Sequence, residues 1–193
     1  MKTIFISISA RQQARNILRT DIFKTLQSDP KLKIVILVNK LKTSEYKKEF
    51  SRKNVIIEGV EELSRTDSFI DGIFYRLAFF YNNTPAVRLR RKQWFLLEKK
   101  QRIRYFISSL LLWLIGSTNI IKNILYFLDI HIVRDNRLLD LFDKYNPDLV
   151  FATNILSTAD LILLRQAKKK KILSVGMVNS WDNIPYGKNP FRF

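Results

Sequence analysis

The chain has 193 residues, of which 47% are hydrophobic, and this composition excludes an intrinsically disordered protein while leaving room for one well-developed core. It contains no cysteine, which excludes a disulfide framework and a thiolate metal site. Lysine and arginine number 34 against 17 acidic residues, and this excess favours an anionic partner: a nucleic acid, a membrane surface or a phosphorylated ligand.

The first sixty residues predict a βαβαβ arrangement. The opening ten residues resemble a weak signal peptide, but their apolar part is short and no small-residue cleavage site follows, so we predict a strand there. The predicted elements are strands at Ile4–Ile8, Ile34–Val38 and Val55–Ile57, helices at Arg11–Gln27 and about Thr43–Phe50, and a turn at Gly59. This order is typical of the first half of a Rossmann-like, mostly parallel sheet with flanking helices.

The middle of the chain, from about residue 67 to residue 133, is predicted to be a helical insertion rich in basic and aromatic residues. Its first helix is predicted at Asp67–Asn82. The later run Phe106–Gly116 is the most apolar in the chain, but its roughly eleven residues fall short of the ~20 that span a bilayer. Extending this run to Ile130 would bury charged side chains, so we prefer helices that are buried or lie on a membrane surface.

The segment Arg88–Phe106 interleaves basic residues with aromatic and aliphatic ones, and three interpretations stay open. It is a solvated helix face with an apolar back, an interfacial membrane helix, or a nucleic-acid-binding surface without a recognised reading motif. In the membrane interpretation, cations extend to anionic headgroups while aromatic rings lie at headgroup level. The residues predicted to face the membrane are Arg88, Arg90, Arg91, Trp94, Phe95, Arg102, Arg104 and Trp113.

A helix at Arg134–Tyr145 leads into a second βαβ unit, whose crossover helix is predicted to begin at Ser157 with Asp160 completing a capping box. Its strands are predicted at Leu149–Ala152 and Ile172–Val178. Polar residues follow both strands, and open α/β sheets bind ligands at these carboxyl ends. The residues predicted to bind a ligand there are Thr153, Asn154, Trp181 and Asn183, with Asp182 as a hydrogen-bond acceptor. The alternative is that Trp181 covers the sheet edge and that Asp182 or Asn183 caps the turn.

The sequence lacks the usual signatures of cofactor and metal binding. The first βα turn, from Ser7 to Arg11, has no glycine, so it forms neither a dinucleotide fingerprint nor a P-loop, and no cofactor is predicted. His131 is the single histidine and makes no metal site by itself, so no metal is predicted.

Two stretches that follow the predicted Rossmann half in the sequence resemble a known protein family. They read Tyr-Asn-Pro-Asp-Leu-Val-Phe-Ala-Thr at 145–153 and Gly-Met-Val-Asn-Ser-Trp-Asp-Asn at 176–183. They resemble the N-terminal domain of GT-B-fold glycosyltransferase-like proteins of bacterial surface-polysaccharide biosynthesis. The resemblance implies an acceptor-binding domain over 1–183, followed by the start of a linker at 184–193.

The resemblance also implies a division of labour. The N-terminal domain would bind a glycan or lipid-linked acceptor, while a C-terminal domain or a separate subunit binds the nucleotide sugar. The chain would then be a half-enzyme without activity alone. Asp182 would be the candidate base, and Ser9 and Arg11 would contact the acceptor, because helix N-termini favour anionic groups. Several GT-B families have a histidine after the first strand, which this sequence lacks.

Two alternatives to this function stay open. One is a non-catalytic, membrane-associated subunit that recruits a separate donor-binding subunit, and the other is a basic nucleic-acid-binding protein. The absence of cysteine suits the cytoplasm, and the basic insertion predicts a peripheral position on the inner face of the cell membrane.

Overall fold

The fold is described from a computed structural model, which describes residues 1–61, 73, 85–97, 102–115, 119–132, 137–155 and 157–178. The chain divides into two compact units. The α/β unit comprises Met1–Arg65 and Arg134–Asn179, and the helical unit comprises Thr66–Val133 and Ser180–Phe193.

A fully parallel sheet of five strands organises the described part of the α/β unit. The strands are β1 (Lys2–Ile8), β2 (Leu32–Asn39), β3 (Val55–Val60), β4 (Leu149–Ala152) and β5 (Leu173–Gly176), in the spatial order β3-β2-β1-β4-β5. The chain first moves outward from β1 to β3 and then returns to place β4 on the other side of β1. This arrangement confirms the predicted α/β, Rossmann-like class.

Helices flank the sheet and make up the described part of the helical unit. They are α1 (Arg11–Gln13), which continues as a π-helical turn (Ala14–Leu18), α2 (Asp21–Ser28), a 3-10 turn (Lys40–Lys42), α3 (Thr43–Phe50), α4 (Pro85–Leu97), α5 (Arg102–Ile115), α6 (Asn119–Ile132), α7 (Leu139–Tyr145) and α8 (Thr158–Lys169). The helices α4, α5 and α6 belong to the helical unit.

The strands are apolar on both faces because helices cover both sides of the central strands. Ile4, Ile6 and Ile8 of β1 face the side that packs against Phe23 and Phe50 of α2 and α3. The intervening β1 and β2 residues face the opposite side, with α7 and α8, and the buried members of that cluster are Phe5, Val35, Leu37, Leu138, Phe142, Val150, Ile162, Leu163 and Ala167. A parallel sheet covered on two faces needs nearly continuous apolar runs, which explains the Ile34–Val38 segment of β2.

Polar contacts attach α7 to the far side of the sheet. Lys144 Nζ lies 2.7 Å from Glu58 Oε1 of β3, and the Tyr145 hydroxyl donates to the same carboxylate. These two contacts lower the pKa of Glu58 against the opposing effect of its partial burial, the largest single influence on it. The helix that precedes β4 is therefore fixed at β3 as well as in the core.

The first helix departs from the prediction of one continuous helix at Arg11–Gln27. A π-helical turn follows α1, in which Arg19 N–H donates to Ala14 O over 3.2 Å, and the chain then breaks at Thr20, which is extended. The Thr20 hydroxyl donates to the Ile17 carbonyl at 2.9 Å and so competes with the helical ladder. The helix restarts at Asp21, whose acidic side chain suits a helix N-terminus.

Other predictions differ from the structure at their boundaries. The last strand ends at Gly176 rather than Val178, and the helix predicted from Arg134 begins at Leu139. Gly59 lies inside β3 and not in a turn after it. Apart from Ile73, the predicted helix at Asp67–Asn82 lies outside the described residues, as does the predicted linker at 184–193.

Gly59 is required where β3 passes the start of α3. A Cβ at this position would lie 2.3 Å from Thr43 Oγ1 and 3.2 Å from Lys40 Cα. We expect Gly59→Ala to lower the free energy of unfolding by about 1–3 kcal/mol, since the added methyl overpacks this contact. Urea denaturation measures the change.

The same substitution in a Thr43→Ala background provides the control. Thr43→Ala removes the nearest clashing atom, so Gly59→Ala should cost clearly less there than in the wild-type chain. An equal cost in both backgrounds would show that steric overlap with Thr43 is not the cause.

Candidate functional site

A pocket of about 190 Å³ opens at the carboxyl edge of the sheet in the α/β unit. The ends of β1, β2 and β3 and the first turn of α8 form its walls. Its polar lining residues are Ser7, Ser9, Asn39, Glu61, Ser157 and Asp160. The strand order reverses between β1 and β4, and open α/β sheets bind ligands at such a reversal.

Asp160 is the most unusual side chain in this pocket. It lies in the first turn of α8 and is fully buried. Its Oδ2 atom accepts a hydrogen bond of 2.5 Å from the backbone N–H of Asn154. Its Oδ1 atom is buried without a hydrogen-bond partner among the described residues. A buried carboxylate oxygen without a donor is costly, because its lost hydration is not replaced.

Burial raises the pKa of Asp160 to about 6, and the Ser7 hydroxyl and the Asn154 N–H offset only part of this effect. At neutral pH the carboxylate is therefore mostly ionised, yet it binds a proton far more readily than an exposed aspartate. A group with this property in a cleft is a candidate for proton transfer.

Reciprocal hydrogen bonds fix the pocket floor between β1 and β4. The Thr153 N–H donates to Ser7 Oγ at 3.1 Å, and the Thr153 hydroxyl donates to the Ser7 carbonyl at 2.6 Å. Both side chains are buried. They hold the loop after β4 against the end of β1, and so position Asn154 to bind Asp160.

Exposed polar groups line the pocket on the β2 and β3 side. The Asn39 side chain accepts a hydrogen bond from Leu41 N–H at 2.9 Å and thereby starts the 3-10 turn. Lys40 and Glu61 form an exposed ion pair with 3.1 Å between Nζ and Oε1. Such a pair adds little stability, so a ligand could displace it at small cost.

The structure places the predicted ligand-binding residues differently. Ser9 lines the pocket, whereas Arg11 lines a separate cleft beside Arg19 and Glu49. Thr153 is completely buried, and its hydroxyl donates a hydrogen bond to the Ser7 carbonyl of β1. Asn154 contributes a backbone N–H to Asp160. The predicted residues Trp181, Asp182 and Asn183 lie outside the described residues.

The capping-box prediction is wrong in its contacts. Ser157 is the N-cap residue of α8, but its side chain makes no capping hydrogen bond. Asp160 turns instead to the loop after β4, because the reciprocal bonds of Thr153 bring Asn154 within its reach. The available sequence signal was an aspartate followed directly by the apolar run Leu161–Leu164. That context favours burial over solvent exposure.

The residues predicted to face a membrane fall into three groups. Arg88, Arg102 and Arg104 are exposed, and Phe95 is half-buried. Arg91 departs from the prediction because it is buried, where it bonds two serines of α5. The side chains of Arg90, Trp94 and Trp113 are outside the described set, although all three residues lie in α4 or α5.

Comparison with known proteins gives no assignment: no family model matches the chain, and no curated protein matches it. Among the described side chains, no group of three or more His, Asp or Glu residues is placed to hold a metal ion. The helices within the described ranges include none with the length and apolar character needed to cross a membrane.

The raised pKa of Asp160 predicts an unusual dependence of stability on pH. The folded state holds this proton up to about pH 6, whereas the unfolded chain releases it near pH 3.8. Stability should therefore fall as pH rises from about 4 to about 6. Asp160→Asn cannot titrate, so it should remove this component and raise the free energy of unfolding at pH 8 by up to about 3 kcal/mol. Urea titrations at several pH values measure both effects.

Asp148→Asn is a matched control with the opposite sign. Asp148 bonds Lys2 Nζ and Thr3 N–H, and both contacts lower its pKa. Its contribution is present above pH 3.8 and is lost on acidification, so Asp148→Asn should destabilise the protein at neutral pH. If Asp160→Asn also destabilised the protein at pH 8, Asp160 would not be a strained buried carboxylate.

Proposed function

We propose that the α/β unit is the acceptor-binding half of a glycosyltransferase, and that its pocket binds a hydroxyl group of a glycan or lipid-linked sugar beside Asp160. The observation that carries this proposal is the buried Asp160 carboxylate, which has one oxygen without a donor at a pocket lined by hydroxyl and amide groups. A hydroxyl group is the neutral donor that would complete this arrangement.

The charges around the pocket support a neutral ligand group there. Asp160 and Glu61 both line it, and two carboxylates disfavour a phosphate in the same space. The turn after β1 supports the same view, because Ser7-Ile8-Ser9-Ala10-Arg11 has no glycine to let a backbone approach a pyrophosphate. The nucleotide part of a donor would then bind to a C-terminal domain or a separate subunit.

Asp160 would act as the general base in such a reaction. The acceptor hydroxyl would attack the anomeric carbon of a nucleotide sugar, its proton would pass to Asp160, and the bond to the nucleoside diphosphate would break. A pKa of about 6 suits this role, since the carboxylate is ionised at neutral pH and still basic enough to accept a proton. Asp182, the base predicted from the sequence, lies outside the described residues and remains a prediction.

A lipid-linked acceptor is presented at a membrane, so the proposal includes a peripheral position on the inner face of the cell membrane. Exposed basic residues of the helical unit support this position. Arg88, Arg102 and Arg104 are exposed, and none has an acidic partner among the described residues.

Saturation-transfer NMR of the full chain with a panel of free monosaccharides tests the binding role. We expect weak binding of at least one sugar, and we expect Asp160→Asn to weaken it by about tenfold or more, because a charged acceptor strengthens a hydrogen bond. Asp148→Asn, which changes an aspartate outside the pocket, should leave sugar binding unchanged. Equal binding by the wild-type chain and Asp160→Asn would contradict the role of Asp160.

A further inference from the structure

The hairpin of α4 and α5 in the helical unit buries a cation between its helices and exposes a row of apolar side chains. Arg91 of α4 is buried between the helices, where Nε donates to Ser108 Oγ at 2.9 Å and Nη2 donates to Ser109 Oγ at 2.6 Å. Its guanidinium lies 5.4 Å from the centre of the Tyr105 ring. Both serine hydroxyls donate in turn to the Tyr105 carbonyl at 2.8 Å. The contact between these helices therefore combines a cation and hydroxyl groups with aromatic packing, in which the Phe95 ring of α4 lies 5.1 Å from the Tyr105 ring and 5.9 Å from the Phe106 ring of α5.

The outer side of α5 is apolar instead. Large hydrophobic side chains recur there at spacings of three and four residues, which places them on one face about 100° wide. They are Ile103, Phe106, Ile107 and Leu110, and their exposed fractions are 71%, 61%, 53% and 57%. This row is called the α5 stripe. In an ordinary water-exposed helix the polar residues would occupy this face and the apolar ones the contact with α4.

Basic residues border the α5 stripe on both sides. Arg102 and Arg104 precede and follow Ile103, so each lies about 100° around the helix from Ile103, one beyond each edge of the stripe, and both are exposed. Their long side chains can lie along apolar material while the charged ends remain in water. Neither α4 nor α5 contains an acidic residue.

The neighbouring helices repeat the exposure of apolar residues. In α4, Leu89 and Leu96 are seven residues apart on the side opposite Arg91 and are 58% and 72% exposed. In α6, Ile120, Ile124 and Phe127 follow the same spacing and are also exposed. The pattern is therefore shared by the three described helices of the helical unit.

We propose that the α5 stripe is a docking surface for an anionic lipid bilayer. The stripe would lie among the acyl chains at the interface, and Arg102 and Arg104 would bind lipid phosphates beside it. This orientation explains the exposed apolar row and the buried cation together, because hydrocarbon accepts the apolar side chains while Arg91 and its serines are kept away from it. The inference does not rest on the proposed sugar-binding role.

The stripe favours lipid over the other candidate partners. Nucleic acids are bound by cations and by exposed aromatic rings that stack on bases, whereas three of the four stripe residues are aliphatic. A second copy of this chain would bring its own arginines against Arg102 and Arg104, and this repulsion opposes a symmetric contact. An anionic bilayer matches both the apolar stripe and the charges that border it.

Co-sedimentation of the full chain with vesicles tests this proposal. One set contains equal parts of phosphatidylglycerol and phosphatidylcholine, and the other contains phosphatidylcholine alone. We expect binding to the anionic set and at least tenfold weaker binding to the neutral set. Phe106→Ser with Leu110→Ser should lower binding about 100-fold, since two large side chains no longer enter the interface. Arg102→Gln and Arg104→Gln should each lower it about fivefold at low salt.

Leu173→Ser with Val175→Ser is the matched control. Leu173 and Val175 are 69% and 48% exposed on β5, so this variant also removes exposed apolar surface, but from the α/β unit. It should bind vesicles like the wild-type chain, and circular dichroism should show unchanged helix content in both double variants.

Three outcomes would overturn the proposal. The first is equal loss of vesicle binding in the two double variants. The second is binding to a single-stranded oligonucleotide, but not to vesicles, that Phe106→Ser with Leu110→Ser leaves unchanged. The third is a dimer without vesicle binding that dissociates in this stripe variant, as measured by sedimentation velocity.

Discussion

The pairing of β1 with β4 joins the two βαβ portions of the α/β unit and positions the loop that contacts Asp160. These strands are far apart in the sequence and pair over only three residues of β1, Ile4–Ile6. Side chains secure the pairing at both ends. Asp148 bonds Thr3 N–H and Lys2 at the amino end, and Thr153 bonds Ser7 twice at the carboxyl end. The carboxyl-end bonds also set the loop that binds Asp160, so sheet pairing and the candidate site share one set of contacts.

The candidate site opposes the stability that the sheet provides. The core buries complete side chains such as Phe5, Ile36 and Phe142, each worth about 1.5–3 kcal/mol of hydrophobic stabilisation. Asp160 reduces this gain, because its ionised form is buried with one oxygen unpaired. Buried polar atoms in native proteins are almost always bonded, and exceptions concentrate where function requires them. The unpaired oxygen therefore marks Asp160 as the point in the pocket where a water molecule or a ligand hydroxyl would complete the hydrogen bonding.

Local patterns predicted the regular elements well, because their causes are local. β2 contains an unbroken apolar run, Ile34–Val38, and α3 and α8 lie between recognisable strands, so composition and spacing were sufficient. The candidate site depended on contacts between distant residues. The spacing of Ser157 and Asp160 fits a capping box, yet the partner of Asp160 is an amide brought near by the bond between Thr153 and Ser7. Likewise, only the approach of Thr43 explains why Gly59 sits inside a strand.

Arg91 shows the same limit in the helical unit. The prediction from sequence assigned the basic residues of Arg88–Phe106 to one environment, because a run of charges does not show which side of a helix each residue occupies. The orientation of α4 is set by its contact with α5. Ser108 and Ser109 lie on the side of α5 that contacts α4, and both accept hydrogen bonds from Arg91. Once that contact is fixed, helical geometry places Leu89 and Leu96 on the opposite side of α4.

The basic residues of the helical unit are concentrated in one segment of the sequence. From Arg88 to Arg104 the sequence has eight lysine or arginine residues and one acidic residue, Glu98, whereas the whole segment Thr66–Val133 has ten basic and four acidic residues and a net charge of +6 out of +17. Cations at this density repel one another and destabilise a compact helical hairpin in water. Exposed leucine, isoleucine and phenylalanine add a second cost in water on the same helices. An anionic bilayer removes both costs together, whereas a nucleic acid would neutralise the charge and leave the α5 stripe in water.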